Sequence, residues 1–126
     1  MNSKANSYIL IVEDSDDLRS LLREFFEGEG FIVRLAADGQ EALDLLKLAT
    51  ALPSFILLDL MMPVMDGYTF RKEQQKDPRI AGIPIVIMTA DGQAEEKTKD
   101  MNAKAFLRKP IQDVEELVHT AMQFYS

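Results

Sequence analysis

Four short apolar runs in this chain each close on a polar residue suited to metal or phosphate chemistry. Glu13 and Asp14 follow Tyr8–Val12, Asp59 follows Phe55–Leu58, Thr89 follows Ile85–Met88, and Lys109 follows Ala105–Arg108. The first run, Tyr8-Ile-Leu-Ile-Val12, is continuously apolar and suits a strand covered on both faces. In an open parallel α/β sheet the carboxyl ends of all strands emerge at one edge, so these side chains gather in one crevice. Three carboxylates, one hydroxyl and one ammonium in such a crevice describe a divalent-metal and phosphoryl site.

Between these runs lie helical patterns, and the β-type and helical segments alternate five times, which predicts parallel βαβ units. Leu18, Leu21, Leu22 and Phe25 recur at helical spacing, so Asp16–Glu27 is expected to form an amphipathic helix stopped by Gly28 and Gly30. Phe31–Leu35 reads as the second strand, and Asp38 with Glu41 as a capping box opening a helix to about Leu48. Pro53 falls in the loop before the third strand. Asp66-Gly67 marks a turn, after which Tyr68–Lys76 is expected to be helical and to end by Pro78. That helix is weakly amphipathic: Phe70 is its clearest buried residue, and Gln74 and Gln75 make it polar.

Ile83–Met88 reads as the fourth strand, and Gln93–Met101 as a short polar helix with an Ala94, Thr98, Met101 stripe that packing must stabilise. After the fifth strand, Ala105–Arg108, a second capping-box pattern at Asp113 and Glu116 opens a last helix. Its expected buried stripe is Val114, Leu117, Val118 and Ala121, and it ends near Tyr125.

A chain of 126 residues is expected to be one domain, with its core over about 8–124 and no output domain. The apolar runs are far too short to span a membrane, and Met1–Ser7 lacks the basic, apolar, small-residue order of a signal peptide, so a cytoplasmic location is expected. Absence of cysteine excludes disulfides, thiolate metal sites and thiol catalysis. A net charge of -7, with no cluster of Lys and Arg larger than a local pair such as Arg71-Lys72, argues against nucleic-acid binding.

Oxygen-only ligands favour Mg²⁺, Mn²⁺ or Ca²⁺ over zinc or copper. Magnesium fits best, because it is commonly held by one or two carboxylates, waters and a phosphate. Asp59 directly follows an apolar strand, where an unpaired carboxylate would be costly, so a cation must stand near it. Lys109 offers one and the metal another. A carboxylate so placed is a competent nucleophile toward phosphorus and would form an aspartyl phosphate, with Thr89 and Lys109 contacting its oxygens. Singly these residues have duller readings: an acidic pair often opens a helix, Thr suits strands, and a Lys after a strand usually points to water.

Together, Val12-Glu13-Asp14, Leu57-Leu58-Asp59-Leu60-Met61-Met62-Pro63-Val64-Met65-Asp66-Gly67, Met88-Thr89-Ala90 and Phe106-Leu107-Arg108-Lys109-Pro110 resemble the signature blocks of the receiver domain of bacterial two-component response regulators. The resemblance runs from Tyr8 to about Phe124 and is closest to stand-alone, chemotaxis-type regulators. It implies a flavodoxin-like (βα)5 fold with strand order 2-1-3-4-5, the order that the receiver domain exemplifies. It implies that Asp59 is the phosphoacceptor, taking a phosphoryl group from a phosphohistidine on a histidine kinase or histidine phosphotransfer protein. Asp14, Asp59 and the Met61 carbonyl would bind Mg²⁺, for which Mn²⁺ could substitute, and Glu13 would act through metal-bound water. Thr89 and Lys109 would contact the phosphoryl group, Phe106 would be the switch aromatic coupled to Thr89, and the Lys109-Pro110 bond would be cis. Output would pass through the face of the fourth helix, fifth strand and fifth helix. The molecule would be a monomer or a weak phosphorylation-dependent dimer, and a signalling module rather than an enzyme.

The chain departs from the family pattern in a shortened stretch between Thr89 and Phe106 and in Asn102 where glycine is usual. Asp91 lies near a position that in this family influences access of water to the phosphoryl group. His119, the sole histidine, reads as a partly exposed helix residue rather than an internal phosphodonor, and the seven methionines as loop and core packing rather than soft-metal ligands. Two other function classes compete. One is a receiver-fold binding module acting without phosphorylation; the other is a metal-dependent aspartyl-phosphate phosphatase, disfavoured because its second acid would fall at Met61.

Overall fold

A computed structural model describes residues 7–125; the polar N-terminal segment before Ser7, and Ser126, lie outside them. Five strands, β1 (Ile9–Val12), β2 (Val33–Ala36), β3 (Phe55–Asp59), β4 (Ile85–Thr89) and β5 (Ala105–Arg108), pair in parallel in the order β2-β1-β3-β4-β5. They alternate with α1 (Asp16–Gly28), α2 (Gly39–Leu48), α3 (Gly67–Lys76), α4 (Ala94–Lys97) and α5 (Val114–Phe124). This is the flavodoxin-like (βα)5 architecture expected of the sequence.

Because side chains alternate across a strand, each apolar run feeds two cores. Ile9, Ile11, Phe55, Leu57, Val86 and Met88 pack with Leu22 and Phe26 of α1 and Leu117 and Ala121 of α5. Leu10, Val12, Ile56, Leu58, Ile85 and Ile87 pack on the other face with Leu46 of α2, Phe70 of α3 and Ala94 of α4. Burial on both faces is why β1, β3 and β4 read as unbroken apolar runs, whereas the edge strand β2 alternates.

Several expected boundaries move for identifiable reasons. The second strand starts at Val33 rather than Phe31, because the chain is still closing α1: Gly30 has φ 92°, and Phe31 N–H donates to the Phe26 carbonyl at 3.0 Å. Phe31 instead packs edge-on against Tyr125, with ring centroids 4.7 Å apart. β4 starts after Pro84, which has no N–H for the ladder but whose carbonyl accepts from Ile56 N–H at 2.9 Å. In α1 the sheet packs against Leu22 and Phe26, leaving Leu21 60% exposed on the edge of a wide apolar arc. In α5 the buried line is Leu117, Thr120 and Ala121 while Val114 is exposed, and Asp113 caps Glu115 N–H rather than the expected Glu116.

The polarity of α3 also has a structural account. Gln74 and Arg71 are buried and satisfy each other: Arg71 Nη1 donates to Gln74 Oε1 at 2.8 Å and Arg71 Nε to the Met101 carbonyl at 2.8 Å. Gln74 Nε2 donates to the carbonyls of Ile80 and Ile83. The expected helix over Gln93–Met101 is broken. α4 is a single turn, Thr98 Oγ1 donates back to the Ala94 carbonyl at 2.6 Å, and a 3-10 turn over Lys99–Met101 ends at Asn102 in the left-handed region, φ 54°. The Ala94, Thr98, Met101 stripe is nevertheless buried. None of the helices formed by the described residues is long and apolar enough to cross a membrane.

Candidate functional site

The strand register brings the predicted polar residues together. Val12 pairs with Leu58, Asp59 with Met88 and Thr89 with Arg108, so Glu13, Asp59, Thr89 and Lys109 all emerge at the carboxyl edge. With Asp14, Ser15, Met61, Ala90 and Asp91 they line an open crevice of about 520 Å³. The fold reaches this geometry through tight backbone approaches. Asp66 caps α3 by accepting from Thr69 N–H, and Gly67 lies where a Cβ would stand 2.5 Å from the Asp59 carbonyl oxygen. Only glycine lets α3 start this close to the end of β3.

Glu13 is fully buried. Its Oε2 accepts from Ser15 N–H at 2.9 Å, and its Oε1 pairs with Lys109 Nζ at 2.7 Å. Asp14 is exposed at the rim. Asp59 is buried, its Oδ1 accepting from Met61 N–H at 3.3 Å and its Oδ2 standing 3.4 Å from Lys109 Nζ. Burial, reinforced by the neighbouring Glu13 charge, pushes the Asp59 carboxyl up to about 6, against the opposing pull of Lys109 and the Met61 N–H. Burial by itself would lower Lys109, but the hydrogen bonds and charges of Glu13 and Asp59 outweigh it and raise the ammonium above its ordinary value.

Thr89 is buried, and its Oγ1 accepts from Asp91 N–H at 3.1 Å, while its carbonyl accepts from Lys109 N–H at 2.9 Å. Asp91 in turn accepts from Gln93 N–H and from Lys97 Nζ, both at 2.8 Å. The Lys97 hydrogen bond, then that of Gln93, holds its carboxyl below the usual range. Phe106 is half-buried and, with Thr89, lines a second cavity of about 280 Å³ under the β4–α4 loop. Arg108 closes that cavity, its guanidinium lying against Gly92. The Lys109-Pro110 bond is cis. His119 is exposed on α5 beside Gln123 and takes no part in the crevice.

Sequence alone did not single out Ser15, Arg19 or Lys97. Ser15 supplies a backbone donor to Glu13, which no side-chain pattern encodes. Arg19 bonds the Glu13 carbonyl, and Lys97 reaches back six residues to Asp91 over the single turn of α4.

Carboxylate oxygens of Glu13, Asp14 and Asp59 lie within 4.8 Å of one another. Among the described residues one ammonium faces these three carboxylates, leaving negative charge that a divalent cation would balance. The all-oxygen donor set fits a hard cation such as Mg²⁺.

Comparison with known proteins agrees with this geometry. The profile of the response regulator receiver domain matches residues 9–122. The chain is 37% identical over 112 residues to response regulator Rre1 of Synechocystis, an alignment covering 86% of this chain and 47% of that protein. The chain thus spans about half the length, or less, of the first curated relatives it matches. Among solved structures it resembles chemotaxis protein CheY4 of Vibrio cholerae, with TM-score 0.83, 29% identity, and coverage of 94% of this chain and 98% of that one. It also resembles the receiver domain of sensor histidine kinase PA1611 of Pseudomonas aeruginosa, described with a magnesium ion coordinated in its active site cleft, with TM-score 0.83, 26% identity, and coverage of 94% and 97%.

Proposed function

Because this chain belongs to the response regulator receiver domain family, we propose that it is a phosphoacceptor switch in which Asp59 receives a phosphoryl group from a phosphohistidine. Receiver domains are signalling modules that interact with histidine kinases or phosphotransfer proteins. The observation that carries the reading is the position of Asp59: buried at the end of β3, facing Lys109, with Glu13, Asp14 and Thr89 around the same crevice. An Asp59 carboxylate oxygen attacks phosphorus, the P–N bond of the donor breaks as the P–O bond forms, and the imidazole leaves with the electron pair. Asp14, Asp59 and the Met61 carbonyl would hold Mg²⁺, with Glu13 acting through water; the ion supplies charge neutralisation for the incoming phosphoryl group. Lys109 and the Thr89 hydroxyl complete the compensation of its oxygens.

Phosphorylation adds about -1.5 to -2 charge to the crevice. Thr89 and Phe106 share a cavity, and Thr89 bonds the loop that leads into α4, so this charge is read out by repositioning Thr89, Phe106 and the α4–β5–α5 face. Acetyl phosphate with Mg²⁺ should yield an acid-stable, base-labile adduct that maps to Asp59 and is absent from Asp59→Ala. An adduct that persists in Asp59→Ala, or none with any phosphodonor, would overturn the reading.

A further inference from the structure

We infer that Arg19 is a positioning residue for the acidic pair of the crevice, fastening the Glu13 carbonyl to the first turn of α1 and so fixing the turn that presents Glu13 and Asp14. The inference deepens, and rests on, the reading of the crevice as a metal-dependent phosphoacceptor site.

β1 makes its last ladder bond from Glu13 N–H to the Ala36 carbonyl, at 3.1 Å. The Glu13 carbonyl then turns to α1, where Arg19 Nη1 donates to it at 2.7 Å while Arg19 Nη2 pairs with the Asp16 carboxylate. Only Asp14 and Ser15 lie between this carbonyl and the helix. Rotation of the Glu13–Asp14 peptide would move both carboxylates at once, and the guanidinium blocks that rotation from the carbonyl side. Ser15 braces the other side: its N–H bonds Glu13 Oε2 at 2.9 Å and its hydroxyl accepts from Leu18 N–H at 3.3 Å.

Arg19 does not line the crevice and so acts through the backbone rather than on a bound group. Its side chain is largely buried, 18% exposed, with the planar fork divided between two acceptors. A lysine ammonium has three donors on one nitrogen but lacks the planar fork that spans both acceptors. Groups that orient a metal's ligands from outside the coordination shell typically contribute about 10–100-fold to affinity.

The test compares wild type, Arg19→Ala, Arg19→Gln, Arg19→Lys and Asp16→Asn as full chains. Mg²⁺ affinity is measured by titration calorimetry, and exchange of the Ser15 amide by NMR in EDTA. Arg19→Ala should weaken Mg²⁺ binding about tenfold or more and speed Ser15 exchange in the metal-free protein. Arg19→Lys and Arg19→Gln, each of which keeps a donor for the carbonyl, should recover part of both. Phosphorylation by acetyl phosphate should return to the wild-type extent at saturating Mg²⁺, placing the defect in ligand presentation. Asp16→Asn should leave affinity and exchange close to wild type, because the carbonyl bond survives.

Unchanged affinity and exchange in Arg19→Ala would overturn the inference. Equal defects in Asp16→Asn would do so too, by transferring the effect to the ion pair at the helix start. If Arg19→Ala fails to fold, Arg19→Gln against Asp16→Asn decides on the same two readouts. Failure of the wild type to bind Mg²⁺ would overturn the phosphoacceptor reading instead, and Ser15 exchange would still decide whether Arg19 fixes the turn.

Discussion

Lys109 Nζ stands closer to Glu13, at 2.7 Å, than to Asp59, at 3.4 Å. The Lys109 ammonium therefore serves first as the counter-charge of a fully buried glutamate, and only second as the partner of the carboxylate on which the chemistry is proposed. Lys109→Ala removes the charge that compensates Glu13 Oε1. Breaking a buried pair costs about 3–5 kcal/mol. Because Lys109 is 21% exposed and water can reach the gap, the loss in EDTA should lie nearer about 2 kcal/mol. Denaturant titration with an unchanged m-value checks it, and added Mg²⁺ should restore part of the loss in Lys109→Ala.

The raised Asp59 carboxyl makes a pH prediction with a definite sign. Its folded value of about 6 exceeds its ordinary value of 3.8, so the folded chain holds this proton more tightly than the unfolded one. In that window the unfolded state binds fewer protons, and the Asp59 contribution to stability falls as pH rises from about 4 to about 6. In EDTA, Asp59→Asn should lack this decline and should be more stable than wild type at neutral pH by about 1–3 kcal/mol. Melting curves of both proteins across that range are the measurement; parallel pH profiles would count against it.

Gln74→Leu fills the same space with an apolar group but leaves Arg71 Nη1 and the Ile83 carbonyl without this partner, while the Ile80 carbonyl keeps only the Ile83 N–H. Each orphaned buried group costs about 1–3 kcal/mol. The variant should lose at least about 2 kcal/mol in denaturant unfolding, despite replacing a polar side chain by one that suits a core.

Gly67→Ala should be among the more damaging small substitutions in the chain. Its Cβ would meet two backbone atoms, the Asp59 carbonyl oxygen at 2.5 Å and Leu60 Cα at 2.9 Å. Neither can swing aside, so α3 must retreat from the end of β3, at about 1–3 kcal/mol. Since the clash falls on the backbone of Asp59 and its neighbour, Mg²⁺ affinity should fall with stability. Thermal melts and a Mg²⁺ titration of the same sample test the pair of effects.

The parallel sheet and the convergence of Glu13, Asp14, Asp59, Thr89 and Lys109 were legible in the sequence because both are consequences of local pattern. An apolar run of strand length fixes where a strand ends, and parallel pairing sends every such end to one edge. Hidden from the sequence was whatever depends on partners distant along the chain. Which side of the wide α1 arc meets the sheet, leaving Leu21 outside and Phe26 inside, is settled by packing of the α1–α5 face. The break in α4 follows from Thr98 bonding its own helix and from Arg71, thirty residues earlier, taking the Met101 carbonyl. Tertiary structure also assigned Lys109 to Glu13 before Asp59, and Arg19 to a backbone carbonyl. Periodicity carries the direction in which a side chain leaves its own strand or helix; it does not carry which of several charged or polar groups, brought within reach by folding, will lie nearest.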